Sequence, residues 1–247
     1  MHIYGINPVA EALRAGRVTR LRVSARADKR MDQIVALAAQ QGVAVERVDP
    51  PLLDRMAKGG VHQGVVADVE DRRDYSVHEL IASPEIGVDS AVRRNPAIVV
   101  LDGIEDPHNV GAILRSCDAA GVSGVIRQER HSAALDGVVG KASAGALSHV
   151  RIASVVNIAR AVEELKEANV WTIGLAGGSG DLYTEIDWTL PSAIVLGAEG
   201  SGLRRLVRER CDRLVRIPML GHVDSLNVSV AAGVVLYEVV RQRGKRS

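Results

Sequence analysis

Aromatic residues are scarce in this chain of 247 residues, which has no Phe, 2 Trp and 4 Tyr. A hydrophobic core must therefore be built from Val, Leu, Ile and Ala, and base stacking on aromatic rings is disfavoured as a main mode of nucleic-acid binding. Net charge is also small, since 31 Lys and Arg stand against 30 Asp and Glu. This balance excludes a uniformly basic polyanion-binding protein, although it leaves room for a local basic patch. A hydrophobic content of 47% excludes a disordered chain.

Sequence features that would indicate export, membrane insertion or a metal centre are missing. Cys117 and Cys211 form no CxxC pair, which predicts two free thiols in a reducing compartment. The first residues show no secretory signal, and the longest apolar run, residues 230–237, is far shorter than the ~20 residues that span a bilayer. The histidines lack metal-ligand spacing. We therefore expect a cytoplasmic protein with no membrane partner and no metal.

The amino-terminal part of the chain, residues 1–75, alternates strand and helix patterns and is expected to form a small α/β domain. Residues 76–95 are expected to be a linker with one short helix at 77–82. Alternating apolar and polar residues predict the strands, and apolar residues at helical spacing predict the helices. The predicted strands are 21–25, 43–48 and 64–69, and the predicted helices are 8–15, 31–41 and 51–57.

The remainder, residues 96–247, is expected to form a second, larger α/β domain. Strands as apolar as 98–101 and 194–196 are typical of a parallel sheet covered by helices on both faces. The last helix is apolar on nearly all sides, which predicts burial in its own domain or against a partner subunit. The predicted strands are 97–101, 124–127, 150–153, 170–176, 193–197 and 214–218, and the predicted helices are 110–120, 133–139, 158–168, 203–210 and 226–241.

Basic residues are concentrated in the amino-terminal domain. Between residues 14 and 30 the chain has Asp28 as its only acid, against Arg14, Arg17, Arg20, Arg22, Arg26, Lys29 and Arg30. Any one of these residues is adequately explained as a solvated surface residue. Together they favour a face that contacts phosphates, for which Arg14, Arg17, Arg20 and Arg22 are the candidates.

The first candidate site segment, residues 106–115, follows a predicted buried strand. Ligands of open α/β sheets bind at the carboxyl ends of the strands. Asn109 can cap the helix that follows, Gly111 permits a close approach to its first turn, and Arg115 lies one and a half turns further on. In isolation, a plain cap and a surface arginine explain both polar residues.

Two further segments also follow predicted strands, as residues 106–115 do. Residues 196–203 contain Gly197, Gly200 and Gly202, which offer bare backbone N–H groups, and Glu199, which binds a ligand or caps the next helix. In residues 217–229, Ser225 is expected to be the cap of the last helix. Asn227 inside so apolar a helix needs a polar partner, which favours a ligand here. The glycine spacing of 196–203 is not that of the dinucleotide fingerprint. Residues 174–180 lack the following helix and the suitably placed acidic residue that this fingerprint requires.

These segments together resemble the three signature motifs of the SpoU/TrmH family of RNA ribose 2′-O-methyltransferases, in the SPOUT superfamily. Residues 140–146 also resemble the middle segment of that family, and residues 4–13 and 62–64 resemble its amino-terminal RNA-binding domain, so the resemblance covers the whole chain. The matching residues are Asn109-x-Gly111-Ala112-Ile113-x-Arg115, Leu196-Gly197-Ala198-Glu199-Gly200-x-Gly202, and Ile217-Pro218-Met219 with Ser225-Leu226-Asn227-Val228-Ser229-x-Ala231.

The resemblance implies a fold and a set of partners. The fold would be an amino-terminal domain like ribosomal protein L30e and a SPOUT-type parallel sheet with a trefoil knot, in a homodimer. S-adenosylmethionine would be the methyl donor, and RNA would be the substrate. The implied target is a guanosine of 23S rRNA in the P-loop of the peptidyl-transferase centre, with a transfer-RNA ribose or a resistance site of rRNA as alternatives. The implied cofactor-binding residues are Gly177, Leu196, Gly197, Ile217, Met219 and Leu226.

The resemblance also implies a catalytic set of Arg115, Asn109, Glu199, Ser225 and Asn227. A free guanidinium is a poor base because its pKa lies above ~12. We therefore expect Arg115 to orient the 2′-hydroxyl and stabilise the developing alkoxide or an adjacent phosphate. Two alternatives of other classes stay open: a nucleotide-dependent α/β enzyme, which lacks its fingerprint here, and a non-catalytic RNA-binding protein.

Overall fold

The computed structural model describes residues 2–14, 16–25, 29–69, 73–82, 95–135 and 137–244. Arg26 and most of the expected linker, residues 83–94, lie outside the described residues, and so do the side chains of Lys29 and Arg30.

A four-stranded mixed sheet organises the amino-terminal residues. Its strand order is β1-β4-β2-β3, with β2 and β3 parallel and the other pairs antiparallel. The sequence patterns missed β1, which is too short to show an alternation and is held by its pairing with β4. The elements are β1 (His2–Tyr4), α1 (Ile6–Arg14), β2 (Val18–Ser24), α2 (Lys29–Gln40), β3 (Ala44–Val48), α3 (Pro50–Met56) and β4 (Val65–Val69).

Both faces of this sheet are covered by helices. Apolar residues of α1 and α2 pack on one face around Leu13 and Leu21, and Leu53 of α3 packs on the other against Val48 and Val66. The prediction that residues 43–48 form a half-buried strand is wrong in one respect, because β3 is an edge strand in which only Val48 is buried.

A parallel sheet of seven strands organises the carboxyl-terminal residues and confirms the predicted α/β class. Its order is β7-β6-β5-β10-β8-β11-β9, and all of its pairings are parallel. The elements are α4 (Val77–Ala82), β5 (Ala97–Asp102), α5 (Pro107–Ala119), β6 (Gly124–Gln128), α6 (Gly137–Ala142), β7 (Ile152–Val155), α7 (Ile158–Glu167), β8 (Trp171–Leu175), β9 (Asp181–Leu182), β10 (Ser192–Gly197), α8 (Arg205–Arg210), β11 (Arg213–Arg216) and α9 (Val228–Gly244).

The helix predicted at residues 133–139 begins later, at α6. Ser132 donates a hydrogen bond of 2.5 Å to the carbonyl oxygen of Gln128 and accepts one from Arg127, which holds the preceding segment in a turn. Ala133 is nevertheless buried in the core, which explains its apolar pattern. The apolar periodicity therefore reported burial correctly but not the backbone conformation.

Each face of the large sheet carries its own aliphatic core. One core includes residues of α5 and α9 together with the fully buried Trp188, and the other includes residues of α4, α7 and α8. Helix α9 begins at Val228 instead of the predicted Leu226, and its outer face leaves Val230 51% and Tyr237 55% exposed. Within the described ranges, no helix is long and apolar enough to cross a membrane.

Helix α6 lies between the amino-terminal residues and the large sheet. It packs against α1 on one side, where Glu11 faces Gly140, and against α5 on the other. Burial raises the pKa of Glu11 against the opposing effect of the Arg14 charge. A Cβ on Gly111 of α5 would overlap the Cβ of Ala142 and lie 3.0 Å from the backbone N of Ser143. The close approach that Gly111 predicted is therefore made by α6.

We predict that Gly111→Ala destabilises the protein by about 1–3 kcal/mol, because the added methyl group forces α5 and α6 apart. Urea unfolding followed by circular dichroism measures this change. Gly140→Ala in α6 is the matched control, since its Cβ would meet its nearest atoms, Oε2 of Glu11 and Cδ2 of Leu147, at the ordinary contact distances of 3.7 and 3.8 Å. The same substitution there should stabilise the helix by up to about 1 kcal/mol. Equal midpoints for the two variants would contradict the close-packing argument.

Candidate active site

A cavity of about 530 Å³ opens at the carboxyl edge of the seven-stranded sheet. Its walls come from the segments that follow β8, β10 and β11, together with the first turn of α9. These strands are neighbours in a parallel sheet, so their carboxyl ends meet at one edge. All the predicted cofactor-binding residues line this cavity: Gly177, Leu196, Gly197, Ile217, Met219 and Leu226.

The side chain of Asn227 joins three segments that are far apart in the sequence. Its Nδ2 donates to Oδ1 of Asn109 at 2.9 Å and to Oε1 of Glu199 at 2.6 Å. Asn109 is buried, whereas Glu199 and Asn227 are exposed and line the cavity. The structure thus brings together three of the five predicted catalytic residues through direct hydrogen bonds.

The same side chain caps helix α9. Oδ1 of Asn227 accepts hydrogen bonds from the backbone N of Ser229 at 2.9 Å and from its Oγ at 2.5 Å. The prediction that Ser225 is the cap is therefore wrong, because the helix begins two residues later than expected. Ser225 lines the cavity and donates from its Oγ to Oδ1 of Asp224 at 3.2 Å.

Two other capping predictions are also corrected. Asp106 caps α5, accepting from the backbone N of His108 and of Asn109, so the Asn109 side chain is free to meet Asn227. Glu199 does not cap α8, whose first residue is Arg205, and its carboxylate accepts from Asn227 instead. In both cases a polar residue predicted as a helix cap takes part in the Asn227 contacts.

The loop after β10 is shaped by its glycines. A Cβ on Gly197 would overlap the backbone of Gly202 and Leu203, so the loop can fold back on its own strand only with glycine at this position. Gly200 and Gly202 have φ values of 78° and 66°, in the left-handed region. A backbone bond from Gly202 N to the carbonyl of Ala198, at 2.9 Å, closes the loop.

Arg115 lies outside the lining of the cavity. It is exposed on α5, roughly 9 Å along the helix axis from Asn109 at 1.5 Å per residue. None of the described residues forms a hydrogen bond or an ion pair with its guanidinium. Among the described residues, Arg115 thus has no ion-pair partner, and it lies about one and a half turns along α5 from Asn109.

Sequence reasoning missed charged residues at the same sheet edge. Arg216 and Asp224 line the cavity, and Arg216 is half-buried with no ion pair to any described residue. Asp102, at the end of β5, is fully buried and accepts hydrogen bonds from the backbone N and the Nε of Arg204. The sequence could have indicated Asp102, because its carboxylate directly follows the apolar strand 98–101.

The four candidate RNA-binding arginines differ in their surroundings. Arg22 is held in ion pairs with Asp68 at 2.8 Å and Glu46 at 3.2 Å. Burial opposes ionisation of Asp68, but its hydrogen bond with Arg22 and the charges of Arg22 and His2 outweigh this and lower its pKa. No described residue pairs with the guanidinium groups of the other three, which are Arg14, Arg17 and Arg20.

Cysteine and histidine contribute no further site in the described part of the chain. Both cysteines are free, as predicted, and burial raises the pKa of Cys117 and brings that of Cys211 to about 12. Such thiols are inert as nucleophiles near neutral pH. The described residues contain no group of three or more His, Cys, Asp or Glu that could hold a metal ion.

Comparison with known proteins identifies related sequences over nearly the whole chain. Residues 96–237 match the model of the SpoU rRNA Methylase family, and residues 2–75 match that of RNA 2'-O ribose methyltransferase substrate binding. The 23S rRNA (guanosine-2'-O-)-methyltransferase RlmB of Yersinia pestis is 44% identical over 99% of this chain and 98% of its own. The putative TrmH family tRNA/rRNA methyltransferase YacO of Bacillus subtilis is 38% identical over 98% of this chain and 96% of its own.

Solved structures show the same similarity. The SpoU methyltransferase AviRb from Streptomyces viridochromogenes, in complex with the cofactor AdoMet, superposes with a TM-score of 0.75 at 26% identity, covering 99% of this chain and 91% of that one. The AdoMet-bound rRNA methyltransferase from Sinorhizobium meliloti gives a TM-score of 0.69 at 26% identity, covering 97% and 86%. With both family models matched in order and a relative 44% identical over nearly the whole chain, this chain belongs to the SpoU rRNA methylase family.

Proposed function

We propose that this protein transfers a methyl group from S-adenosylmethionine (AdoMet) to a ribose 2′-hydroxyl of RNA, with a guanosine of 23S rRNA as the target. The observation that carries the proposal is the Asn109–Asn227–Glu199 set of hydrogen bonds at the cavity. The relatives named 23S rRNA (guanosine-2'-O-)-methyltransferase support the choice of target. Because that substrate is ribosomal, we also infer a cytoplasmic location.

The chemistry of the cavity fits AdoMet. The ligand has a flat adenine, a cationic sulfonium and a charged amino-acid end. Apolar side chains and glycine backbone of the lining suit the flat adenine. The carboxylates of Glu199 and Asp224 and the guanidinium of Arg216 suit the charged groups. A Cβ on Gly177 would meet no protein atom within 4 Å, so the backbone there is open to a ligand. We propose that Gly177, Leu196, Gly197, Ile217, Met219 and Leu226 hold AdoMet.

When bound, AdoMet would supply an electrophilic methyl group, so the protein must align the 2′-oxygen with the sulfur–methyl bond that breaks. The hydroxyl proton passes to solvent as the oxygen–methyl bond forms. We propose that Asn109, Glu199 and Asn227 fix the ribose beside the cavity and that Ser225 contacts it from the same wall. Arg115 stays protonated and orients the hydroxyl or its neighbouring phosphate, which stabilises the developing charge.

We predict that the purified protein, incubated with methyl-labelled AdoMet and 23S rRNA lacking its modifications, places label on one ribose 2′-oxygen. Nuclease mapping of the labelled RNA gives the position, and transfer RNA is the parallel substrate. Arg115→Ala should lower the rate of transfer by on the order of 100-fold or more while AdoMet affinity, measured by calorimetry, stays within about twofold.

Arg208→Ala is the matched control, because Arg208 is likewise exposed and pairs with no described residue. It should leave transfer unchanged. Label on a base would overturn the 2′-hydroxyl assignment, and label on transfer RNA alone would overturn the ribosomal target. Full activity of Arg115→Ala would remove Arg115 from the site.

We also propose that the amino-terminal domain contacts RNA phosphates through Arg14, Arg17 and Arg20. Their guanidinium groups have no partner among the described residues, whereas the charge of Arg22 is matched by Asp68 and Glu46. Arg22 then stabilises the sheet more than it attracts RNA. The nearly neutral chain is consistent with a local basic surface of this kind.

Replacing Arg14, Arg17 and Arg20 together with Gln should weaken RNA binding and flatten its salt dependence. The slope of log K against log salt should fall by about 0.7–1 for each arginine that contacts a phosphate. Fluorescence anisotropy with an rRNA fragment at several salt concentrations measures it.

Arg22→Gln provides the comparison within the same strand. It should lower the unfolding midpoint, because it leaves Glu46 without its partner and Asp68 with His2 alone, and change the salt slope less than the triple substitution. An unchanged slope in the triple variant would make those arginines an ordinary solvated surface.

We further propose a homodimer that buries the outer face of α9. The apolar side chains of Val230 and Tyr237 are half exposed on that helix, and Leu220 and Val223 are 97% and 66% exposed in the loop before it. Exposed apolar surface of this extent is typical of an interface.

Tyr237→Glu should convert the dimer to monomer in sedimentation velocity, since a carboxylate cannot be desolvated there without a partner. Val156→Glu is the control, because Val156 is 76% exposed in the loop after β7, away from α9, and its replacement should leave the mass unchanged. A wild-type protein that sediments as a monomer would overturn the dimer.

We also infer the trefoil knot. Strand β11 pairs with both β8 and β9, which are joined by residues 176–180 alone. Leu175 and Asp181 both lie opposite Val215, so that connection must cross one face of β11 at this level. This arrangement supports a threaded chain around the cavity.

A further inference from the structure

Asp102 and the strand that carries it hold both ends of the glycine loop 198–203. The loop begins after Gly197, which lies opposite Asp102 in the parallel pairing of β10 with β5. It ends before Arg204, whose backbone N donates to Oδ2 of Asp102 at 2.8 Å. The Arg204 side chain donates to Oδ1 of the same carboxylate from Nε at 2.6 Å and from Nη2 at 2.5 Å. The Asp102 carboxylate thus fixes where the loop ends, and the backbone pairing of the strand that carries Asp102 fixes where the loop begins.

The burial of Asp102 makes this contact difficult to break. The Asp102 side chain is 0% exposed, whereas that of Arg204 is 50% exposed. If Arg204 moved away, it would leave a buried carboxylate without a countercharge, which costs far more than the loss of a surface ion pair. The loop end is therefore anchored by the requirement to neutralise Asp102.

The loop that is anchored in this way carries Glu199. Inside the loop, Gly202 N donates to the carbonyl of Ala198 at 2.9 Å, and Ser201 N donates to that of Glu199 at 3.0 Å. These short-range bonds leave little freedom once the two ends are fixed. The Glu199 carboxylate is thereby held at the position where it accepts from Asn227 at 2.6 Å.

We propose that Asp102 and Arg204 are positioning residues of the active site, which act through Glu199 and the loop backbone without touching the substrate. The inference rests on the proposed methyl transfer. Since the loop backbone also lines the cavity, loosening it should disturb AdoMet and Glu199 together. The RNA affinity supplied by the amino-terminal domain should be unaffected.

The test compares Asp102→Asn in two backgrounds of the full chain, using labelled AdoMet and a 23S rRNA transcript. In the wild-type background it should lower kcat by on the order of 100-fold and raise the KM for AdoMet, with the KM for RNA unchanged. In the Glu199→Gln background the same substitution should lower kcat by no more than about threefold further, because the two residues act as a unit. If the double variant loses kcat by the product of the two single losses, the proposal is overturned.

Asp212→Asn is the matched control for lost stability. Asp212 is a carboxylate near the amino-terminal end of β11 that accepts from the backbone N of Thr172 at 2.9 Å and pairs with Lys166 at 3.0 Å, away from the loop. Burial opposes its ionisation, but the hydrogen bonds from Thr172 and Lys166 lower its pKa. Its replacement should lower the unfolding midpoint and leave kcat unchanged. Equal losses of kcat in both variants would make Asp102 merely structural.

Hydrogen exchange of the loop amides separates this inference from the proposed function. In Asp102→Asn, amides of residues 198–203 should exchange at least about tenfold faster, whether or not the protein methylates RNA. If Asp102→Asn does not fold, Arg204→Lys replaces it, since the ammonium group keeps a countercharge for Asp102 and the backbone bond remains, while the Nε bond of the guanidinium to Oδ1 is lost. Unchanged loop exchange would overturn the anchoring, and a wild-type protein without transferase activity would overturn the proposed function alone.

Discussion

The two hydrogen bonds donated by the Asn227 amide are the constraint on which the candidate site depends. An amide group supplies a donor and an acceptor at once. Here the acceptor caps α9 and the donor reaches Asn109 and Glu199, so the start of the last helix and the geometry of the site are set by one side chain. A serine or aspartate would cap the helix equally well. Neither side chain has an NH2 group that could donate to Oδ1 of Asn109 and to Oε1 of Glu199 at the same time.

Close backbone contacts bring the three partners of that interaction within reach. The loop carrying Glu199 folds back on β10 because Gly197 has no side chain, and α5 carrying Asn109 packs on α6 because Gly111 has none. Helix α6 also contacts α1, so the amino-terminal domain is connected to Asn109 through one short helix.

The sequence predicted the parallel sheet, most of its strands and the gathering of the motif residues, because apolar strands and glycine-bearing loops leave local patterns. It misplaced the caps: Asn109, Ser225 and Glu199 were each compatible with a helix start, and only tertiary contacts decide that Asp106 and Asn227 do the capping. The sequence pattern also grouped Arg22 with Arg14, Arg17 and Arg20 as a phosphate contact. The two carboxylates that pair with it, Asp68 and Glu46, lie on other strands. Pairing across a sheet leaves no mark in a single sequence.

The scarcity of aromatic residues bears on how such a site recognises RNA. The fully buried Trp188 serves the core, where its Nε1 donates to the carbonyl of Tyr183, so it offers no stacking surface. Of the other rings, Trp171 is 49% and Tyr4 39% exposed, so few surfaces are available for base stacking, and guanidinium groups and backbone amides are the more numerous contacts available to RNA. Such contacts position a strand without reading its bases. Under the proposed function, selection of one nucleotide therefore depends on where the amino-terminal residues place the RNA relative to the proposed site at Asn227 and Glu199.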